Sequence, residues 1–115
     1  MRHLKKTKKF HRKKGQRKAL FKTLLNNLIL KEKIETTEIK AKMLRSKAEK
    51  LLTLAKKQNL AAQRILLSRL TKKSAQKLYY EIAPRYSHRQ SGYTKIIKSR
   101  IRKADGARMA LIEFN

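Results

Sequence analysis

The feature that most constrains this chain is an excess of positive charge. It holds 33 Lys+Arg against 7 Asp+Glu in 115 residues, a formal net charge of +26. Self-repulsion of that size destabilises any compact state of so short a chain, and a polyanionic partner relieves it. The length suits one small domain. A hydrophobic share of 40% supplies enough apolar surface for a core, so wholesale disorder is excluded. Aromatic residues make up only 6% and tryptophan is absent, so any surface that stacks on bases must rest on few rings.

The same inventory removes several function classes. Cysteine is absent, which excludes disulfide frameworks, thiolate zinc sites and thiol nucleophiles. The longest uncharged stretch, residues 23–30, falls far short of the ~20 apolar residues that span a bilayer. Asn26 and Asn27 interrupt it and no small-residue cleavage site follows, which argues against a signal peptide. The expected location is the cytoplasm. The Arg/Lys-rich, acid-free amino end also resembles a mitochondrial presequence, so an organellar location is the alternative.

The charge is steepest at the front. Residues 1–31 hold 12 Lys/Arg and no carboxylate, which leaves 21 basic and 7 acidic residues, a net +14, for residues 32–115. Residues 1–14 read as a basic arm with Leu4 and Phe10 as isolated apolar points, since like-charge blocks do not fold alone. Residues 15–115 read as a single α+β domain that begins at Gly15.

From Gln16 onward Ala19, Leu20, Phe21, Leu24, Leu25, Leu28 and Ile29 recur at helical steps. A short strand over 33–37 follows, and Thr37 is placed to cap a second helix reaching about Lys57. Its inward stripe is Ile39, Met43, Leu44, Ala48, Leu51, Leu52 and Ala55. Asn59 is expected to cap a third helix with Leu60, Ile65, Leu66 and Leu70 facing inward. Ser74 is expected to cap a fourth, with Leu78, Tyr79 and Ile82, which Pro84 ends. Residues 85–92 form a polar loop. Residues 93–101 and 109–114 are β-rich, and Asp105-Gly106 between them is a turn signal, so a terminal hairpin with a basic tip is predicted. The fold class is α+β: three to four helices packed on a small sheet made of the short strand and the hairpin, with an extended basic amino-terminal arm.

No catalytic constellation emerges. His3, His11 and His88 have no metal-ligand spacing, and the first two sit in the arm, where phosphate contact suits them better. Ser74 and Lys77 match a serine/lysine spacing that two common residues produce by chance. Glu32, Glu35 and Glu38 lie beside Lys31, Lys33 and Lys40 and read as helix-end and surface ion pairs. No enzyme, metal or cofactor is expected.

Two stretches carry a binding signal. In the arm, Arg2, Lys5, Lys6, Lys8, Lys9, Arg12, Lys13, Lys14, Arg17 and Lys18 put ten cations into seventeen positions. Neutralising about ten phosphates would make log affinity fall against log salt with a slope of roughly −7 to −9. The second stretch is the loop with Arg85, Tyr86, His88, Arg89 and Tyr93, extended by Lys95 and Lys98. There the tyrosines are candidates to stack on splayed bases, although a core position for Tyr93 competes with that reading.

Several ordered motifs together resemble the bacterial large-subunit ribosomal protein L-seventeen family over the whole length. They include Met1-Arg2-His3, Arg17-Lys18-Ala19-Leu20, Ile34-Glu35-Thr36-Thr37, and Glu49-Lys50-Leu51 with Thr53-Leu54-Ala55-Lys56. The most specific is Glu81-Ile82-Ala83-Pro84-Arg85-Tyr86, which continues to Gly92-Tyr93-Thr94, and Met109-Ala110-Leu111-Ile112-Glu113 closes the chain. Gln16, Ser91 and Arg108 depart from the family pattern. The resemblance implies a structural constituent of the large ribosomal subunit that binds large-subunit rRNA and catalyses nothing. It also implies neighbouring large-subunit proteins near the peptide tunnel exit, and no membrane or small-molecule partner. The arm is expected to lack fixed structure in the free protein and to order on rRNA. Two rival classes are a DNA-architectural protein using the same charge on duplex DNA and a membrane-active basic peptide. The second is weakened by apolar stripes sized for one another.

Overall fold

The computed structural model describes residues 9–115. Helix α1 (Lys14–Lys31) starts two residues before the expected boundary at Gln16. Gln16 is the reason the start holds. Its side-chain carbonyl accepts the backbone N–H of the cap residue Lys13 at 3.3 Å, satisfying a donor that a helix start leaves free. Phe21, Leu25, Leu28 and Ile29 are its buried stripe, while Ala19 is exposed and Leu20 and Leu24 are half-buried.

The helix closes at Glu32, whose backbone is left-handed (φ 62°) and whose N–H donates to the Leu28 carbonyl at 2.6 Å. That conformation costs a non-glycine residue about 1–2 kcal/mol. Tertiary bonds offset it, because the Glu32 carbonyl accepts the Phe114 N–H at 3.2 Å and its carboxylate holds Arg85 and Lys77.

Strand β1 (Lys33–Thr37) leads directly into α2 (Glu38–Ala55), the helix in the middle of the molecule. Thr37 is the cap residue, but its hydroxyl makes no capping hydrogen bond. Ala41, Leu44, Ala48, Leu51, Leu52 and Ala55 are buried, so the inward stripe is as expected from Leu44 onward. Ile39 is a correction. It is 51% exposed, because the inward line runs from Ala41 through Leu44 and Ala48 to Leu51, Leu52 and Ala55 at steps of three and four, and Ile39 falls outside it.

Asn59 caps α3 (Leu60–Arg69), its side-chain oxygen accepting the Ala62 N–H at 2.8 Å. Ala62, Leu66 and Leu70 point inward at steps of four, which leaves Leu60 and Ile65 exposed against expectation. Helix α4 (Lys72–Lys77) is capped by Thr71, whose hydroxyl accepts the Ser74 N–H. Ser74, expected as the cap, is instead buried inside the first turn. Nor does Pro84 end the helical path. A π turn over Leu78–Ile82 passes into a 3-10 turn over Ala83–Tyr86, and Pro84 sits in the first turn of the latter, where a missing N–H breaks no bond.

Strands β2 (Thr94–Ile101) and β3 (Arg108–Phe114) form the predicted hairpin, and β3 also pairs with β1, giving an antiparallel sheet of order β1-β3-β2. Ile34, Ile112 and Ile96 align across the three strands on the face that packs on α2. The alternate residues form the outer face, where Lys33, Glu113 and Lys95 make one row and Glu35, Leu111 and Ile97 the next. Burial of Leu44, Leu52, Leu66, Ile82 and Ile112 places the core between this sheet and the helices. The fold is α+β, as the residue pattern predicted.

Candidate nucleic-acid interface

The arm meets the body at one ring contact. Phe10 packs edge-on against Phe21 of α1, with centroids 5.5 Å apart. A turn brings this about: the Arg12 N–H donates to the Lys9 carbonyl at 3.1 Å, and Phe10 and His11 both take φ of 54°. The Arg17 guanidinium donates to the Arg12 carbonyl at 3.1 Å and braces the turn from the helix. Lys9, His11, Arg12, Lys13, Lys14 and Lys18 are exposed and Arg17 is half-buried. Arg2, His3, Lys5, Lys6 and Lys8 lie outside the described residues.

The loop is a different matter. Tyr86 and Tyr93 are 5% and 1% exposed and pack edge to face, 5.5 Å between centroids. The Tyr86 hydroxyl donates to the carbonyl of Asn115 at 2.7 Å, and burial raises its pKa. The Tyr93 hydroxyl accepts from the Lys56 ammonium at 2.9 Å and donates to the Arg89 carbonyl at 3.3 Å. Both rings are core, so the expectation that they stack on splayed bases is corrected. The chain must bury something where the loop returns to the sheet, and with few large side chains available the tyrosines fill the space.

Arg85 leaves the loop and pairs with Glu32, 53 residues earlier in sequence. The hydrogen bond from Arg85 is the main reason the Glu32 carboxylate sits below its usual range. His88 and Arg89 are exposed, Arg89 lying 5.6 Å from the Tyr86 ring centroid. Lys95 is 3.6 Å from Glu113, which it shares with Lys33 at 3.8 Å. Lys98 is exposed and has no carboxylate partner among the described residues.

At the hairpin tip, Asp105 accepts from Arg102 at 2.9 and 2.6 Å and from the Ala107 N–H at 3.2 Å, which lowers its pKa to about 2. A register shift between Lys98 and Ile101 lets Ser99 and Arg100 reach Glu35 at 2.9 and 3.1 Å, and these bonds lower the Glu35 pKa. The basic tip is therefore half neutralised. The three clustered glutamates do form ion pairs, but Glu32 and Glu35 pair across the fold and Glu38 with Lys42 one turn on, none with the neighbours suggested by sequence.

Residues 9–115 contain 29 Lys and Arg, of which eight pair with carboxylates, leaving 21 without an acidic partner among the described residues. Two features are not evident from the sequence pattern. Lys22, Lys47, Lys50 and Arg69 join Lys18 around one groove between α1, α2 and the end of α3. Tyr80, at 61%, is the exposed tyrosine, beside Lys73 and Lys77. For the first, the sequence shows only that no carboxylate occurs between Glu49 and Glu81, which covers Lys50 and Arg69; that Lys18, Lys22 and Lys47 join them is decided by packing. The second had none, since adjacent helical tyrosines face different ways and only packing says which is buried.

An α+β body in which cations so outnumber carboxylates is that of a small basic protein. The comparisons with known proteins make this specific. The family model described as "Ribosomal protein L17" matches residues 20–115, and the chain belongs to that family. It is 54% identical over 116 residues to the large ribosomal subunit protein bL17 of a Sulfurihydrogenibium species, covering 99% of this chain and 96% of the relative. The protein of the same name from Persephonella marina is 55% identical over 117 residues (99% and 94% covered), and that from Natranaerobius thermophilus 50% over 108 (93% and 96%). This is a family of structural ribosomal proteins, not of enzymes.

Proposed function

We propose that this chain is a structural constituent of the large ribosomal subunit that binds and stabilises large-subunit rRNA. The arm, Arg2 to Lys18, is the principal contact, and His88, Arg89 and Lys98 add a smaller one. The observation that carries this reading is the root of the arm: Lys9, Arg12, Lys13, Lys14, Arg17 and Lys18 have no carboxylate within ion-pair distance among the described residues, whereas Arg85 and Lys95 do. Free cations held together on a stapled turn and a helix start suit a phosphate backbone, which offers evenly spaced negative charge. Neighbouring large-subunit proteins on the exterior near the tunnel exit are the protein partners that go with this reading, and the cytoplasmic ribosome is its location. No helix among the described residues is long and apolar enough to cross a membrane.

Cosedimentation with ribosomal subunits through washes of rising salt tests the reading. Retention on the large subunit through stringent washing is the expected result. Release at modest salt with equal recovery on bulk DNA would leave only a nonspecific polyanion binder.

A further inference from the structure

A groove of about 550 Å³ opens between α1, α2 and the end of α3. Its rim carries Lys18 and Lys22 from α1, Lys47 and Lys50 from α2, and Arg69 from α3, with no carboxylate on it. Its floor is apolar, made by Phe21, Leu25 and Leu51. None of the five cations has an acidic partner among the described residues, although Glu49 lies between Lys47 and Lys50 in sequence. Glu49 is occupied elsewhere, accepting from Thr94 at 3.2 Å and lying 3.8 Å from Arg45.

Five unmatched cations on three helices repel one another, and the fold gains nothing visible from keeping them together. Lys47 finds partial relief over the Phe21 ring, 5.4 Å from its centroid. The same ring receives Phe10, so the arm joins the body at the edge of this groove.

We infer that the groove seats a run of RNA phosphodiester backbone continuous with the one the arm follows, its phosphates on the five cations and a sugar or base edge against the apolar floor. The inference rests on the rRNA-binding reading and extends it to a second contact. Charge complementarity selects the occupant: a cationic rim over a narrow apolar floor fits a strand that alternates phosphates with flat, partly apolar units. Phe10 sets the geometry by fixing where the arm leaves the helix.

The test compares two triple variants of the full chain binding an in-vitro transcript of large-subunit rRNA across a salt series. One is Lys22→Gln, Lys50→Gln, Arg69→Gln in the groove; the other is Lys57→Gln, Arg64→Gln, Lys72→Gln on exposed positions outside it. The groove triple is expected to make the log–log salt slope shallower by about 2 to 3, at ~0.7–0.9 for each phosphate no longer neutralised, and the control triple by clearly less. All six side chains are exposed, and unchanged circular dichroism verifies the fold. Equal changes in both triples, or none in the groove triple while the wild type still prefers rRNA over duplex DNA, would overturn the groove and leave the rRNA reading standing. Loss of that preference in the wild type would overturn both. A photo-crosslinking residue replacing Ser68, on the lip of the groove, is expected to label rRNA in assembled subunits. Labelling of an acidic protein segment instead would overturn the assignment of the occupant.

Discussion

The outer face of the sheet and the helical side of the molecule are both basic, and they handle their charge in opposite ways. On the sheet, Glu113 stands between Lys33 and Lys95 across three strands, and Arg100 reaches over β3 to Glu35. On the helical side, α1 and α3 contain no carboxylate, and the arm root and the groove rim gather cations with no carboxylate partner among the described residues. The number of Lys and Arg in a segment therefore does not say where a polyanion binds. Under the proposed reading, the distribution of the seven carboxylates is what marks the cations open to one. Exposed ion pairs such as these add little to stability, but each withdraws a cation from competition for phosphate.

The largest effect expected from this contrast comes from removing residues 2–13. That deletion keeps α1 from Lys14 and takes away seven Lys/Arg. The salt slope for rRNA binding should become shallower by about 5 to 6, while circular dichroism shows the body intact. Neutralising Lys33 and Lys95 on the sheet should change the slope by less than about 1, because Glu113 already offsets them. A sheet variant with as large an effect as the deletion would erase the distinction between the two regions.

Tyr93→Ala sharpens the comparison at the loop. Removing a fully buried ring should lower unfolding free energy by about 3–5 kcal/mol in a denaturant titration, and Tyr93→Phe by about 1. A base-stacking residue would show the reverse pattern, with lost RNA affinity at unchanged stability. Arg89→Gln should make the salt slope shallower by about 1, and Arg85→Gln by less, since Arg85 is held by Glu32.

The smallest effect concerns pH. Asp105 has its folded-state pKa lowered to about 2 from an ordinary carboxylate value of 3.8, so its contribution to the hairpin tip is complete above pH 4 and is lost as pH falls through 2. Glu32 and Glu35 are shifted the same way, so their links also weaken only in acid. Amide signals of Asp105 and Ala107 should move together in an NMR titration below pH 4. Movement of the tip near neutral pH would contradict the Arg102–Asp105 clamp.

Sequence alone determined the excess of positive charge, the acid-free amino end, the stripe of α1 apart from Ala19, the strand over 33–37, the cap at Asn59 and the terminal hairpin. Each depends on residues close together in the chain, where periodicity, capping and turn chemistry act directly. The tertiary structure decided which cations are free and which rings are available. Glu32 meets Arg85 across 53 residues, Tyr86 turns inward to the chain's last carbonyl, and Lys18, Lys22, Lys47, Lys50 and Arg69 converge from three helices. Such pairings arise from packing the α2 core, and no local pattern encodes a distance between segments that meet only after folding.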